Sequence, residues 1–292
     1  MDATWIDSRR LARRAHRPPT LAGYDRLELA RGSIRLRVDG HAGPAVAFAP
    51  DGPNVAEHYD ELVGRIGDRH RVLRFELPGF GYSFPRRGYR FTLADQAAVA
   101  AEVLERVGLA PYVLAFSCSN AYVALRVAAL RPDLVSGLVL IQAPSWADEQ
   151  RWIERIDPSR VMRRAGMGQL VSAATPARLA RAWYGAALPE GECFDHFYGP
   201  AEDALRHGGC FCLGSLIQAN SGPQPDFGAV EQPALAVWGG SDGTHRHSDG
   251  RSILEHVPAA RWLHFESAGH FPELEESERF ARELERFTSE LA

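Results

Sequence analysis

The 292-residue chain contains no lysine: all 33 of its basic residues are arginine, set against 37 acidic residues for a formal net charge of −4. An arginine-only basic set of this kind is read as a bias of base composition. With no excess of positive charge, a nucleic-acid partner is not expected. Cysteine is scarce. Cys118, Cys193, Cys210 and Cys212 are too scattered for a disulfide framework, so a reducing cytoplasm is the expected setting. Cys210 and Cys212 are separated by one residue instead of two, so no zinc knuckle is expected there, even with His207 nearby. Long apolar runs are also missing, and nothing approaches membrane-spanning length. Ser8-Arg9-Arg10-Leu11 echoes a twin-arginine signal, but Ala12-Arg13-Arg14-Ala15-His16-Arg17-Pro18-Pro19 follows where an apolar stretch would be needed. Residues 1–20 therefore read as a basic, poorly ordered arm. There are no internal repeats and no low-complexity segments.

What is present is an alternation of strand and helix patterns. Tyr24–Arg31 and Ser33–Asp39 alternate apolar and polar residues around Arg31-Gly32, the pattern of an antiparallel hairpin. Continuous apolar runs follow at Ala45–Ala49, Val72–Leu77, Tyr112–Phe116 and Leu138–Ala143, as in strands buried on both faces. Between them Val55–Ile66, Leu93–Val107 and Asn120–Leu130 carry helical periodicity. Such alternation predicts an α/β fold with a mostly parallel sheet and helices on both faces. From 145 to 232 the alternation stops, and the segment is rich in helix formers and aromatic residues with no convincing strand. It resumes with a strand at Ala234–Trp238, a helix near Arg251–His256, a strand at Trp262–Phe265 and a helix at Glu275–Leu291. The expected organisation is a core of 21–144 and 233–292 interrupted by a helical cap over 145–232.

Ligands of open parallel sheets bind at the carboxyl ends of the strands. Four strand ends carry candidates: Glu76-Leu77-Pro78-Gly79-Phe80-Gly81-Tyr82-Ser83, Ala115-Phe116-Ser117-Cys118-Ser119-Asn120-Ala121, Trp238-Gly239-Gly240-Ser241-Asp242, and Ala268-Gly269-His270-Phe271-Pro272. Together they resemble the α/β-hydrolase fold superfamily from about Tyr24 onward. The first looks like that family's D-x-P-G-x-G-x-S loop with Glu76 in the aspartate position. The resemblance implies Asp242 as the acid and His270 as the base, in the family's order of nucleophile, acid, histidine. The residues agree. An imidazole with an ordinary pKa of about 6.5 is the natural proton shuttle, and Asp242 would orient it and stabilise the imidazolium. A solvated loop histidine is the competing reading for one of 11 histidines, and an ordinary Ser-Asp-Gly turn for Asp242.

The nucleophile is ambiguous, and the member is atypical in having a cysteine at or next to the elbow. A tight strand-to-helix turn favours small residues two positions either side. Ser119 has them in Ser117 and Ala121; Cys118 has Phe116 and Asn120. The resemblance favours Cys118: in that family the helix after the nucleophile runs about fourteen residues to a proline, and Cys118 lies fourteen residues before Pro132 where Ser119 lies thirteen before it. A thiol at a helix N-terminus is also expected to have a lowered pKa, and thiolate is the better nucleophile. Cys118 is taken as the nucleophile and Ser119 as the alternative. The bland readings are a buried small hydrophobe for Cys118 and a helix cap for Ser119.

The oxyanion side departs from the family's His-Gly: the run is Ala49-Pro50-Asp51-Gly52-Pro53-Asn54. Proline has no N–H to donate, which leaves Gly52 and Ser119 as the expected backbone donors. Asp51 brings negative charge to a place where negative charge should develop, and is itself a candidate site acid.

The sequence thus supports an acyl-transfer enzyme, a thioesterase, esterase, lactone hydrolase or acyltransferase, working through Cys118, His270 and Asp242. Its alternative is a non-hydrolytic enzyme of the same fold, an epimerase, isomerase or cyclase, in which His270 with Asp242 or Asp51 moves protons without an adduct. A third reading is a binding protein with a degenerate site. Displacement of halide or opening of an epoxide by a carboxylate is disfavoured, because neither Cys118 nor Ser119 is an aspartate. No cofactor and no metal are expected. The expected partner is a small molecule, with thioesters and carrier-bound acyl groups among the candidates. Trp146, Trp152, Trp183, Tyr184, Phe194, Phe197, Tyr198 and Phe211 suggest a large apolar or aromatic pocket. Arg151, Arg155 and the Arg160–Arg164 region offer contacts to an acidic substrate, or simply a solvated helix face.

Overall fold

A computed structural model describes residues 3–191 and 194–291, so Cys193 lies outside the described residues. Helix α1 (Trp5–His16) precedes a hairpin of β1 (Asp25–Glu28) and β2 (Gly32–Asp39). Next come β3 (Ala45–Ala49), a 3-10 turn at Ala56–Tyr59 leading into α2 (Asp60–Ile66), β4 (Arg71–Phe75), and short β5 (Phe80–Gly81) and β6 (Phe84–Pro85). They are followed by α3 (Leu93–Val107), β7 (Tyr112–Ser117), α4 (Ser119–Leu130) and β8 (Val135–Ile141). Helices α5 (Trp146–Ile156), α6 (Met167–Ala174), α7 (Pro176–Ala187) and α8 (Phe194–Asp203), strand β9 (Cys210–Phe211) and helix α9 (Leu213–Asn220) separate β8 from β10 (Ala234–Gly239). A 3-10 segment at Gly250–Glu255, β11 (Arg261–Phe265), α10 (Pro272–Glu275) and α11 (Ser277–Glu290) complete the order.

The main sheet runs β1-β2-β4-β3-β7-β8-β10-β11, with β6 on β2. It is antiparallel at the hairpin end and parallel from β4 to β11. β3 shows why. All five of its residues are buried, and its period-2 alternation feeds two cores. Ala45, Ala47 and Ala49 join the layer that holds Val99, Val103 and Leu104 of α3 and Leu125 of α4. Val46 and Phe48 join the layer holding Leu62 and Ile66 of α2 and Phe280, Leu284 and Phe287 of α11. α3 forms where predicted because Thr92 caps it, accepting from the Asp95 N–H at 3.2 Å, and Gly108 ends it at φ +73°.

Two expectations are corrected. The arm over residues 1–20 contains a docked helix. Asp7, Ser8, Leu11 and Ala15 of α1 are buried, Asp7 accepts from Ser215 Oγ at 2.8 Å, and Arg14 donates to the Gly208 carbonyl at 2.8 Å. An amphipathic helix needs only a narrow apolar stripe, and Leu11 and Ala15, four residues apart, supply it. The segment 145–232 also holds one short strand, β9, pairing antiparallel with β5. Among the described residues no helix is long and apolar enough to cross a membrane.

The loop around Glu76 is locked from beneath. Glu76 is fully buried and pairs with Arg35, whose guanidinium also meets Glu57. Glu76 accepts from the Tyr82 N–H at 2.8 Å and the Ala56 N–H at 3.2 Å. The guanidinium sits between the Tyr24 and Tyr82 rings, 4.3 and 4.4 Å from their centres. The glutamate thus has a structural role, fixing the loop that presents Phe80. Replacing Arg35 by Met strands a buried carboxylate, and is expected to lower unfolding free energy by about 3–5 kcal/mol. Urea denaturation checks this, and a curve superimposable on the wild type would contradict it.

Candidate active site

Parallel strands bring their carboxyl ends to one edge, and five of them deliver polar groups there. β7 ends in Cys118, which turns at φ +50°, ψ −127° into α4. A non-glycine residue rarely adopts this conformation, and it is held only where the surroundings over-determine it. Here the Cys118 N–H donates to the Ile141 carbonyl at 2.8 Å, and its carbonyl accepts from the Ala121 N–H at 2.9 Å. The steric argument for Ser119 does not decide the bend. Phe116 turns its ring into the α3/α4 layer, 5.7 Å edge-on from Phe75. Asn120 becomes a tie, donating to the Pro50 carbonyl at 2.9 Å. Ser119 is the first residue of α4, with Oγ donating to Asp51 Oδ1 at 3.1 Å.

His270 follows β11 and is completely buried. Its Nδ1 meets Asp242 Oδ2 at 2.6 Å, and its Nε2 is buried without a hydrogen-bond partner. Asp242, at the end of β10, is saturated. Gln142 Nε2 donates to Oδ2 at 2.9 Å, and Thr244 donates to Oδ1 from its N–H and Oγ1 at 2.8 and 2.7 Å. Burial opposes the Asp242 charge, but His270, His245 and the Thr244 hydroxyl outweigh it and hold the carboxyl at about 2. Burial likewise opposes the imidazolium. Asp242 first, then Asp51 and Glu273, raise the His270 pKa above its ordinary value.

The free side of His270 faces Asp51 and Cys118. A ring nitrogen, the thiol sulfur and a carboxylate oxygen of these residues lie within 4.8 Å of one another. The same holds for Asp242, His245 and His270. Either set could span a small cation; Asp242 and Asp51 are hydrogen-bonded without one, while His270 Nε2 and His245 Nε2 have no partner. Asp51 is buried, which raises its pKa to about 6 against the pull of His270, Ser119, Cys118 and the Gly52 N–H. The expected lowering of the Cys118 pKa is corrected. Burial, and then Asp51, push the thiol well above its ordinary value, against the Ser119 N–H directed at its sulfur. The helix N-terminus is outweighed because the thiol is buried and a carboxylate stands beside the sulfur. Both expected oxyanion donors are present, with the Gly52 N–H beside Asp51 and the Ser119 N–H beside Cys118, each favouring the charged form of its neighbour. Gly52 leaves no room for a side chain, since a Cβ there would collide with the Phe80 ring.

Asp51, Gly52, Cys118 and Ser119 open onto a cavity of about 540 Å³. Of the expected aromatic residues, Trp146, Trp152, Trp183 and Phe211 line it. Tyr184, Phe194, Phe197 and Tyr198 do not, and pack with Phe271 in a separate cluster. Arg155 reaches its rim, while Arg151 pairs with Asp148 at 2.9 Å. Sequence reasoning missed Gln142, Thr244, Trp183 as a wall of His270 (5.0 Å, edge-on), and Glu149. A signal existed for Gln142, a polar residue closing an apolar strand. Glu149, in an acidic helical turn, gave none.

Residues 41–283 match the alpha/beta hydrolase family. A segment of 117 residues is 27% identical to "Haloalkane dehalogenase 2" of Mycobacterium bovis and of Mycobacterium tuberculosis, covering 40% of this chain; the chain spans about two fifths (41%) of the length of these curated relatives. Among solved structures, a haloalkane dehalogenase loop variant from Bradyrhizobium elkanii superposes with a TM-score of 0.69 at 17% identity, covering 92% of this chain and 96% of that one. Wild-type Cfl2 from Burkholderia cenocepacia gives 0.70 at 21% identity, covering 91% and 95%. At these identities the structures speak for the fold alone, and they agree with the family match and with the strand order. The chain belongs to the alpha/beta hydrolase family.

Proposed function

We propose that the protein is an acyl-transfer hydrolase that opens ester or thioester bonds of an apolar small molecule through a Cys118 acyl-enzyme. One observation carries this reading: Cys118 holds the strained bend between β7 and α4 while the unpartnered Nε2 of a histidine anchored by Asp242 lies at the same site. Nucleophile, base and orienting acid are then in the relation that acyl transfer needs. In the first half-reaction the sulfur bonds to the carbonyl carbon and its proton passes to His270 Nε2. Collapse breaks the bond to the leaving oxygen or sulfur, which takes that proton. Water repeats the sequence, releasing the acid and restoring the thiol. Because Cys118 and His270 are both shifted upward, the proton rests on sulfur until attack, as in a serine enzyme. The helices between β8 and β10 act in this reading as a cap that selects the substrate.

A specific observation favours a second reading. Asp51 fills the oxyanion side and faces His270, an arrangement suited to shuttling protons on a substrate that is never covalently held.

Intact-protein mass after brief exposure to aryl esters and alkyl thioesters separates the two. The expected result is an acyl adduct absent in Cys118→Ala and formed about a hundredfold to ten-thousandfold more slowly in His270→Ala. An adduct lost only in Ser119→Ala overturns Cys118. Turnover with solvent deuterium entering the substrate and no adduct favours the second reading.

The pH profile gives a further check. His270 must be neutral to accept a proton, and its pKa is raised from 6.5. Activity should therefore rise with pH along a limb lying above 6.5. Asp242→Asn removes the largest charge favouring the imidazolium, so the limb should move to lower pH while the maximal rate falls. A limb that stays in place would contradict the assigned pairing.

A further inference from the structure

Neighbouring residues of α5 have opposite fates. Asp148 is saturated: it pairs with Arg151 and accepts from the Asp249 N–H at 2.9 Å and Ser252 Oγ at 3.3 Å. Glu149, one residue on, is 4% exposed and lines the cavity, and its Oε2 has no hydrogen-bond partner. An unmatched buried carboxyl costs free energy unless something fills the place of its partner.

The surroundings say what that partner is. The titratable groups around Glu149 are Asp51 from the β3 end, His270 from the β11 end, Asp148 on its own helix, Cys118 at the β7 end and Tyr122 of α4. His270 is committed to Asp242. The rim arginines are exposed and turned elsewhere, Arg155 to Ser248 Oγ at 2.8 Å and Arg246 to the Gly243 carbonyl at 3.3 Å. Asp157, also on the lining, is served by the Arg163 N–H at 3.2 Å. Among the described residues the cation acting on Glu149 is therefore His270 alone, and that imidazole is held by Asp242 first and shared with Asp51. The nearby walls are aromatic, and most of their polar tips are engaged: Tyr122 Oη with the Pro144 carbonyl, Trp146 Nε1 with the Gly222 carbonyl, and Trp152 Nε1 with the Thr244 carbonyl, while Trp183 Nε1 has no partner. Two carboxyls on an aromatic cavity, sharing one imidazole already held by a third carboxylate, form a site for a cation supplied by the ligand.

We infer that Glu149 and Asp51 together bind a protonated amine on an aromatic or apolar substrate. This names the substrate class of the acyl-transfer reading and rests on that reading only in taking the cavity as the substrate site. It also bears on its chemistry, since an ammonium beside Asp51 would neutralise the charge that opposes a developing oxyanion.

The test reads binding alone, so it stands apart from any failure of acyl transfer. Phenethylamine and phenethyl alcohol, alike in shape and different in charge, are titrated calorimetrically at pH 7 in two buffers of different ionisation enthalpy. Free Glu149 titrates near 8, so it is mostly protonated at pH 7 and must lose its proton to face an ammonium. The amine should bind at least about tenfold more tightly than the alcohol and release a proton. Glu149→Gln, which keeps the shape and hydrogen-bonding capacity, should remove the proton release and most of the preference while leaving the alcohol unchanged. In the wild type, amine affinity should rise with pH through about 6 and again through about 8 as Asp51 and then Glu149 ionise, with the alcohol flat. Because His270 loses its charge in the same range, the titration is repeated in His270→Ala, where the two steps should persist; that decides the matter even if Glu149→Gln folds poorly. An amine that binds no more tightly than the alcohol, or a preference untouched in folded Glu149→Gln, overturns the inference.

Discussion

The contact on which the site depends is the Asp51 carboxylate pressed against Cys118, Ser119 and the Gly52 N–H. Together with burial, which is the larger cause, it holds the thiol protonated despite its place at the start of a helix. It also places a second acid opposite the free face of His270. In a buried site such a charge acts more strongly than it would in bulk water. The proposed chemistry therefore has to proceed with this carboxylate present, by neutralising it or by using it.

The architecture supports that contact from several directions. β3 is buried on both faces and ends directly at Pro50-Asp51, so Asp51 is carried by one of the most tightly held strands of the sheet. Asn120 ties the elbow to the same strand end. Gln142 spans from the β8 end to Asp242 and accepts from the Gly239 N–H at 2.7 Å, linking acid and elbow neighbourhoods through one amide. The buried Arg35–Glu76 pair fixes the loop whose Phe80 ring closes over Gly52.

Much of this was legible from residue order. The buried runs at Ala45–Ala49 and Tyr112–Phe116 became central strands, and Asp242 and His270 meet at 2.6 Å, because strand-end loops of a parallel sheet converge whatever the details. Local sterics were less reliable. The small-neighbour rule at the elbow pointed to Ser119, yet Phe116 and Asn120 found room by pointing away from the bend. Helix α1 was missed because its buried stripe is only one side of an arginine-rich segment. The upward shift of Cys118 and the unmatched state of Glu149 depend on burial and on residues far away in sequence, so no local pattern encodes them.

The central claim is that Cys118 rests as a thiol under the influence of Asp51. Its most direct test is the rate of iodoacetamide labelling against pH, read on the Cys118 peptide by mass spectrometry in the wild type and Asp51→Asn. The account predicts slow labelling at neutral pH that climbs only in the alkaline range above 9, with the climb moved to lower pH in Asp51→Asn. Rapid wild-type labelling with a plateau at neutral pH, the signature of a preformed thiolate–imidazolium pair, would contradict it.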